Sequence, residues 1–492
     1  MPSAELLFPP FVTLARAARC DACEAPLPRA TRAWLVARLR LRCDACLQAR
    51  REPISHEPSS ALAVVPPSSF GADVRAVVRL GATLGIAIRS LACVARDRLR
   101  GRRGTAPAIV RRAFEDLGPA YVKLGQLVAS TDGIFPEPYC VELRGCLDRA
   151  RPLPFEAIER VIVSELAAPL ADVFSEIDRT PLASASIAQV HAARMRDGSD
   201  VVLKVQRPGI GATIAADVRL LRGAARALQS TPRGALANPV AVVDDFVSTL
   251  AEELDFTLEA ANMAEFNRAM LDLDRADVVA PRVVRATRRL IVMERFYGTR
   301  VDEVSGAALG MDVEEKLVAG MRAWFQCVVF HGFFHGDVHA GNLMALSDGR
   351  IGFLDWGITG RLSRPQRRGV TDTLLCFAAG DFRKLAEVWR AMGSASSGTD
   401  MEALARDLAA VYEPLLDAPL AALKFADVLP GLLRAAERHR LVLPRDFVLV
   451  TKQMLYFDRY AKKLAPRLNV FKDPRLVTPL AMDMLAAGML MA

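Results

Sequence analysis

HGDVHAGN, residues 335–342, decides how the rest of this chain is read. His335, Asp337 and Asn342 keep the spacing of a phosphoryl-transfer catalytic loop, in which an Asp two places after a His is followed five places later by an Asn. Gly336 stands where a protein kinase carries Arg. Asp, His, Gly and Asn also make ordinary tight turns. The stretch alone leaves both readings open, and its surroundings have to decide.

Phosphoryl transfer asks a protein for positioning and charge neutralisation, so each required part can be sought in turn. Lys204, in VVLKVQ, sits among apolar strand residues and suits the lysine that holds nucleotide phosphates. The acidic stretch EELDFTLEAANMAEF (252–266) reads as one helix and offers Glu253, Asp255 and Glu259 as partners. On that helix Asp255 and Glu259 would share a face at i,i+4. Asn342 is one candidate metal ligand. Asp355, in FLDWG (353–357), is the second, at the place of a kinase Asp-Phe-Gly with Trp356 as the apolar anchor. The 13-residue step between them spans one hairpin, which would bring two oxygen donors suited to Mg²⁺ together at its base. Jointly, Lys204, Asp337, Asn342 and Asp355 exclude the plain-turn reading. His331, His335 and His339 are not read as a metal site, because they cross a loop and no His-Glu-x-x-His is present. His335 is read as an orienting residue. No glycine-rich phosphate loop exists. ASASIAQVH (183–191) stands in its place, and Ala and Ser there restrict how closely backbone N–H groups approach phosphate.

The 492 residues leave room for two or three domains, and 52% hydrophobic content suffices for a packed core. A net charge of +8 is spread along the chain, so no nucleic-acid partner is expected. Residues 1–51 form a small Cys-rich piece. Cys20 and Cys23, then Cys43 and Cys46, make two CDAC pairs 19 residues apart, a spacing that fits one structural Zn²⁺, with a redox pair or free thiols as the alternative. Such a piece could recruit a protein partner. Residues 52–71 read as a linker and 72–168 as a helical extension. Residues 169–297 carry the strands VFSEID, IAQVHAARM, DVVLKVQ and VVRATRRLIVMERF. Residues 298–492 are almost all helical except for a hairpin over 343–355. No signal-peptide pattern opens the chain, and a reducing cytosolic setting is expected, with peripheral membrane or isoprenoid-lipid contact. No membrane span is expected. LGATLGIAIRSLACVA (80–95) is interrupted by Arg89, and VTPLAMDMLAAGMLMA (477–492) is short and carries Asp483. Either could lie on a membrane or pack on a partner helix, and both read first as core or docking helices.

These motifs resemble the UbiB, or aarF-domain, family of atypical kinase-like proteins. The resemblance runs over about residues 110–470. It rests on DLGPAYVKLGQLVAS (116–130), PLASASIAQVHAA (181–193), VVLKVQRPGI (201–210), EELDFTLEAAN (252–262), FFHGDVHAGNLM (333–344) and FLDWG. The resemblance implies an α+β, bilobal protein-kinase-like fold whose Lys-x-Gly-Gln helix covers the place of a peptide substrate. It implies that Lys123 and Gln126 point from one helix face into the site, and that Glu253 and Asp255 engage Lys123. Glu259 would pair with Lys204, Asp337 would be the catalytic-loop Asp, and Asn342 and Asp355 would hold Mg²⁺. ATP would lie against Ala183, Ser184, Ala185, Ser186 and Lys204, with its adenine at the hinge MERF, through Met293, Glu294 and Phe296. Gly336 is ordinary for that family. Ser184 departs from its Ala-rich loop, STDGIF (130–135) departs from its usual continuation, and the CDAC pairs lie outside its pattern.

The implied activity is ATP hydrolysis or phosphoryl transfer serving isoprenoid quinone or lipid biosynthesis. Three rivals stay open: a small-molecule kinase of the aminoglycoside or choline type, a protein kinase proper, and a pseudokinase scaffold that binds nucleotide without turnover.

Overall fold

A computed structural model describes most of residues 70–486, leaving out chiefly 130–135, 232–238, 304–312, 417–430, 442–449 and scattered positions between 451 and 472, together with five short strands between Phe11 and Arg42. Within the N-terminal piece, Phe11–Thr13, Arg32–Val36 and Arg40–Arg42 form an antiparallel sheet, and Ala18–Arg19 pairs with Pro26–Leu27. The four CDAC cysteines and the STDGIF segment lie outside the described residues.

The upper lobe is a twisted antiparallel sheet in the order Val283–Ala286, Leu290–Glu294, Asp200–Gln206, Ala188–Met195 and Phe174–Ile177, with Ala183–Ser184 on the Ala188 strand. The Asp197-Gly198 turn joins the two central strands, Gly198 taking a positive φ of 88°. Alternation along Asp200–Gln206 splits its side chains between two faces. Val201, Leu203 and Val205 are buried against Ile158, Val161, Ile162 and Leu166 of the helix Phe155–Leu166. Lys204 projects from the other face, toward the helix Phe256–Asp272.

That helix exposes a difference from the sequence reading. Apolar periodicity runs through 240–270, yet the chain forms two helices, Pro239–Glu253 and Phe256–Asp272. Asp255 is the N-cap of the second, in extended conformation, and its carboxylate accepts from the Thr257 N–H at 3.0 Å. Asp favours that position because its side chain satisfies an otherwise orphan amide. Asp255 and Glu259 therefore do not share the face of one helix.

In the lower lobe, Val313–Gln326 runs into a single π-helical turn, Cys327–His331, which Gly332 ends at φ 64°. The hairpin Leu343–Leu346/Ile351–Phe353 forms about Asp348 and Gly349. Two further strands, Phe333–His335 and Thr359–Arg361, pair across the catalytic stretch. At three residues each they are too short to register as a hydrophobic period. Trp324, Trp356, Trp389, Phe333, Phe334 and Phe353 fill the core beneath.

The extension adds Phe70–Leu99, Ala106–Leu117 and Pro119–Ala129. With Ile210–Gln229 and Pro239–Glu253 they share a core of Leu117, Ala120, Tyr121, Ile214, Val218, Phe246 and Leu250. The apolar run at 80–95 docks by one side only: Ile86 packs on that core and Arg79 pairs with the buried Asp217. Over Val77–Leu99 the helix is long and apolar enough to cross a membrane, with a mean hydropathy of 1.6, and no residue of its most apolar window is buried. Hydropathy measures what a helix would gain by being covered, not whether anything covers it. The helix Pro474–Ala486 docks too, burying Leu476 in the main core, with Leu480 packed against it and Met484 buried beside them.

Candidate functional site

The cleft between the lobes is built around one cation. Lys204 Nζ lies 2.7 and 2.9 Å from the two Glu259 oxygens and 3.0 Å from Asp355 Oδ1. Burial pushes the lysine's pKa down, but the Asp355 and Glu259 carboxylates more than offset it and hold the pKa above the ordinary value. Conversely, Lys204 drives Asp355 well below the usual carboxylate range, with help from Lys123. Burial pushes Glu259 upward while Lys204 opposes it. The result at neutral pH is a charged lysine beside an ionised Asp355. Glu259 is buried at 6% exposure, whereas Asp355 is 55% exposed and faces open cleft.

Asp355 also carries backbone strain, with φ at +54°. Its neighbours hold it there. Trp356 is fully buried, its indole donating to the Phe353 carbonyl at 3.0 Å, and Asn262 donates to the Trp356 carbonyl at 2.9 Å. Asn262 stands one turn along from Glu259, so a single helix holds both the lysine and the strained turn.

On the loop itself, Asp337 is 26% exposed. His335 is buried and acts as a brace: Nε2–H donates to the Leu354 carbonyl at 2.9 Å while Nδ1 accepts from the Asp337 N–H at 3.0 Å. This arrangement needs a neutral imidazole, and burial lowers its pKa accordingly. Asn342 donates its amide N–H to the Asp337 carbonyl at 3.0 Å, which leaves Oδ1 as its acceptor for a cation. Gly336 explains itself sterically. A Cβ there would lie 2.8 Å from Ile358 Cγ2, on the strand turn that accepts from the Gly336 N–H at 2.9 Å. An arginine side chain has no room.

Around the Ala-rich loop, Ala185 N–H donates to Ala188 O at 2.8 Å. Arg207 braces the loop from behind, donating to the Ala185 carbonyl and to Ser184 Oγ, each at 2.8 Å. The serine that departs from the Ala pattern thus has a partner, and Arg207 is a residue that sequence reasoning missed. Ala183 is exposed and Ser186 buried. At the hinge, Met293 and Glu294 end their strand, and the Glu294 carboxylate folds back to accept from the Arg282 N–H at 3.2 Å. Phe296 packs against Gly352 beneath it.

The helical extension reaches this part of the molecule through Lys123, whose Nζ lies 3.1 Å from Glu253 Oε2. Gly125 gives its helix a close approach: a Cβ there would sit 3.0 Å from Cys146 Sγ and 3.1 Å from the Phe114 ring. Two expectations are corrected. Gln126 donates to the Cys146 carbonyl at 3.3 Å and so serves the packing of its own layer rather than the cleft. Asp255 does not engage Lys123. It caps its helix and pairs with Arg288 at 3.3 Å.

A second missed residue is Gln453. Fully buried, it accepts from the Val338 N–H at 3.0 Å and donates to the Gly336 carbonyl at 2.6 Å, clamping the loop on both sides of Asp337. Nothing 116 positions away in the sequence signals that contact.

Comparison with known proteins falls on this same assembly. Residues 145–389 match the model of the ABC1 atypical kinase-like domain, and residues 408–469, which contain Gln453, match the UbiB helical domain. A chloroplastic aarF domain-containing protein kinase of Arabidopsis thaliana is 36% identical over 400 residues, covering 75% of this chain and 74% of the relative. The chain belongs to the ABC1 (aarF/UbiB) family of atypical kinase-like proteins. An uncharacterized protein of Mycobacterium tuberculosis is 38% identical over 371 residues, covering 74% of this chain and 76% of its own. A probable protein kinase UbiB of Cellvibrio japonicus is 34% identical over 368 residues, covering 74% and 67%. Both matched segments meet at the loop around Asp337, where Gln453 of the helical domain bonds the backbone on either side of it.

Proposed function

We propose that this ABC1-family protein binds adenine nucleotide with Mg²⁺ in the cleft and hydrolyses it or transfers its phosphoryl group, in service of isoprenoid quinone or lipid biosynthesis. The observation that carries the reading is Lys204 held charged between Glu259 and Asp355. Lys204 would neutralise nucleotide phosphates, with Glu259 fixing its position. Asn342 Oδ1 and the ionised, half-exposed Asp355 offer hard oxygen donors that fit Mg²⁺, which characteristically keeps waters and takes phosphate oxygens beside one or two protein ligands. Bound there, the ion would neutralise charge on the transferring phosphoryl group. Asp337 would accept the proton of the attacking hydroxyl or water, its backbone fixed by His335 and Gln453. Phosphate would lie under Ala183–Ser186, and the adenine at Met293–Phe296. The pair Lys123–Glu253 supports a cleft closed on the side where a peptide would dock, which favours water or a small acceptor over protein substrates.

The test is ATP turnover by purified protein with Mg²⁺, beside Asp355→Asn. Removing this carboxylate should lower phosphate release about a hundredfold or more, since metal charge stabilisation is worth several kcal/mol. Undetectable turnover in both proteins, with nucleotide still bound, would overturn the enzymatic reading.

A further inference from the structure

We propose that a groove in the lower lobe, apart from the cleft, binds an uncharged apolar molecule that carries one oxygen, such as a medium-chain alcohol. Three elements wall the groove. Phe325 and Val329 come from the helix Val313–Gln326 and its π-helical turn, Leu375 from the helix Arg364–Ala379, and Leu480 and Ala481 from Pro474–Ala486. The groove encloses about 610 Å³ counted out to its open mouth, which gives room for a small molecule or a single alkyl chain and not for a globular partner. Apolar walls left around a gap forfeit the dispersion contacts that close packing would give them. One polar group breaks the apolar lining. Thr371, one turn before Leu375, lines the groove at 3% exposure, and its hydroxyl has no hydrogen-bond partner. A threonine inside a helix can bond back to the carbonyl one turn earlier, and Thr371 does not. An unpaired buried hydroxyl is costly, and an oxygen brought by an occupant would satisfy it. Charge selects the class of occupant. No charged residue lines the groove, so an ionised head drawn in to Thr371 would lose its water and meet no counter-charge.

Polar bonds keep the groove from closing. Arg475 pairs with Glu314 at 2.6 Å, and Asp483 Oδ2 accepts from Gln326 Nε2 at 2.6 Å. These ties stand on either side of the apolar stretch that crosses the groove, and both reach the one helix Val313–Gln326. Gln326 is itself fixed, because its Oε1 accepts from Arg275 at 3.2 Å and the buried Arg275 pairs with Asp277 at 2.7 Å. A helix fastened at two points cannot settle inward to fill the space between them. The opposite wall has an irregularity of its own. Val329 belongs to the π-helical turn Cys327–His331, and single turns of this kind recur at functional sites. The chain leaves that turn for the strand Phe333–His335, so an occupant would touch the element that leads into the loop around Asp337.

Equilibrium dialysis of the full-length protein against radiolabelled 1-decanol and decanoate tests this without reference to turnover. Wild type should retain decanol at least about tenfold more tightly than decanoate, since only the alcohol enters without burying a charge. Ala481→Trp should reduce decanol retention to background by filling the groove. Leu375→Trp fills the same space from the facing helix, so the test stands even if one of the two variants fails to fold. Thr371→Val keeps the shape of the wall and removes the hydroxyl, and it should weaken decanol about threefold to tenfold, the value of one hydrogen bond. No retention by wild type overturns the proposal. Equal retention by wild type and both Trp variants also overturns it, because the alcohol would then lie elsewhere, on a surface such as the exposed apolar face of Phe70–Leu99. Decanoate held as tightly as decanol, or decanol held unchanged by Thr371→Val, overturns the chemical class assigned to the occupant. Decanol retained only after residues 487–492 are deleted would give the groove to the chain's own end instead.

Discussion

Two lysine–glutamate pairs stand six residues apart on the acidic side and do different work. Lys204 meets Glu259 at 2.7 Å inside the cleft, and Lys123 meets Glu253 at 3.1 Å on the side of the helical extension. Both pairs are largely buried, and both are the same chemistry. They differ in what else they hold. Lys204 is shared with Asp355, a strained and half-exposed carboxylate, so its pair lies at the centre of the candidate site. Lys123 comes from a layer packed through Gly125 against Cys146 and Phe114, so its pair fastens one body to another. The break at Asp255 turns the two glutamates to different partners. EELDFTLEAAN is less a motif than a joint, with a fastening on one side and, under the proposed function, the positioner of Lys204 on the other.

The comparison breaks hardest at Glu259. Glu259→Gln leaves Lys204 buried with Asp355 as its remaining carboxylate partner. Removing one member of a buried pair costs about 3–5 kcal/mol, and the surviving Asp355 contact reduces this to roughly 2–4 kcal/mol. Nucleotide affinity should fall as well, because the lysine would then be drawn toward the aspartate proposed to hold the metal. Denaturant melts and nucleotide titrations check both; unchanged stability with unchanged affinity would show that Glu259 is a spectator. Lys123→Met should do less. The methionine keeps the apolar stem in place, and Glu253 loses a partner at a boundary rather than in the deep interior, so roughly 1–2 kcal/mol is expected. The distinguishing readout is local: amide exchange should quicken over Pro119–Ala129 and stay unchanged over Asp200–Gln206. Uniform quickening in both would mean that the two pairs form one cooperative unit.

Much of the cleft was legible because its residues are short-range. The Lys204 strand, the hairpin at 343–353 and the spacing from Asp337 to Asn342 to Asp355 follow from local periods and turn chemistry. What stayed hidden came from distance or from packing. Gln453 and Arg207 brace loops far from themselves in sequence, and no spacing rule points to them. Gln126 has the i,i+3 placement that would bring it to the cleft beside Lys123, yet its amide goes to the Cys146 carbonyl. The steric reason for Gly336 lies in Ile358, twenty-two positions on. The helix over Val77–Leu99 was legible as apolar, but composition does not state which face is left open.

Asp255 makes the smallest change and the sharpest distinction. Its carboxylate does two things: Oδ1 accepts from the Thr257 N–H and hydroxyl, and Oδ2 pairs with Arg288, itself 75% exposed. An ion pair to so exposed an arginine is worth little. The cap is worth about 1 kcal/mol, so Asp255→Ala should cost about that and quicken amide exchange at the start of Phe256–Asp272. Asp255→Asn then separates the roles. Asn caps as well as Asp does but carries no charge, so it should restore both stability and exchange to near wild type. If Asn instead costs as much as Ala, the charge matters and the cap does not. Asp255 would then be placed again with Glu253 against Lys123, and the joint would be a fastening on both of its acidic residues.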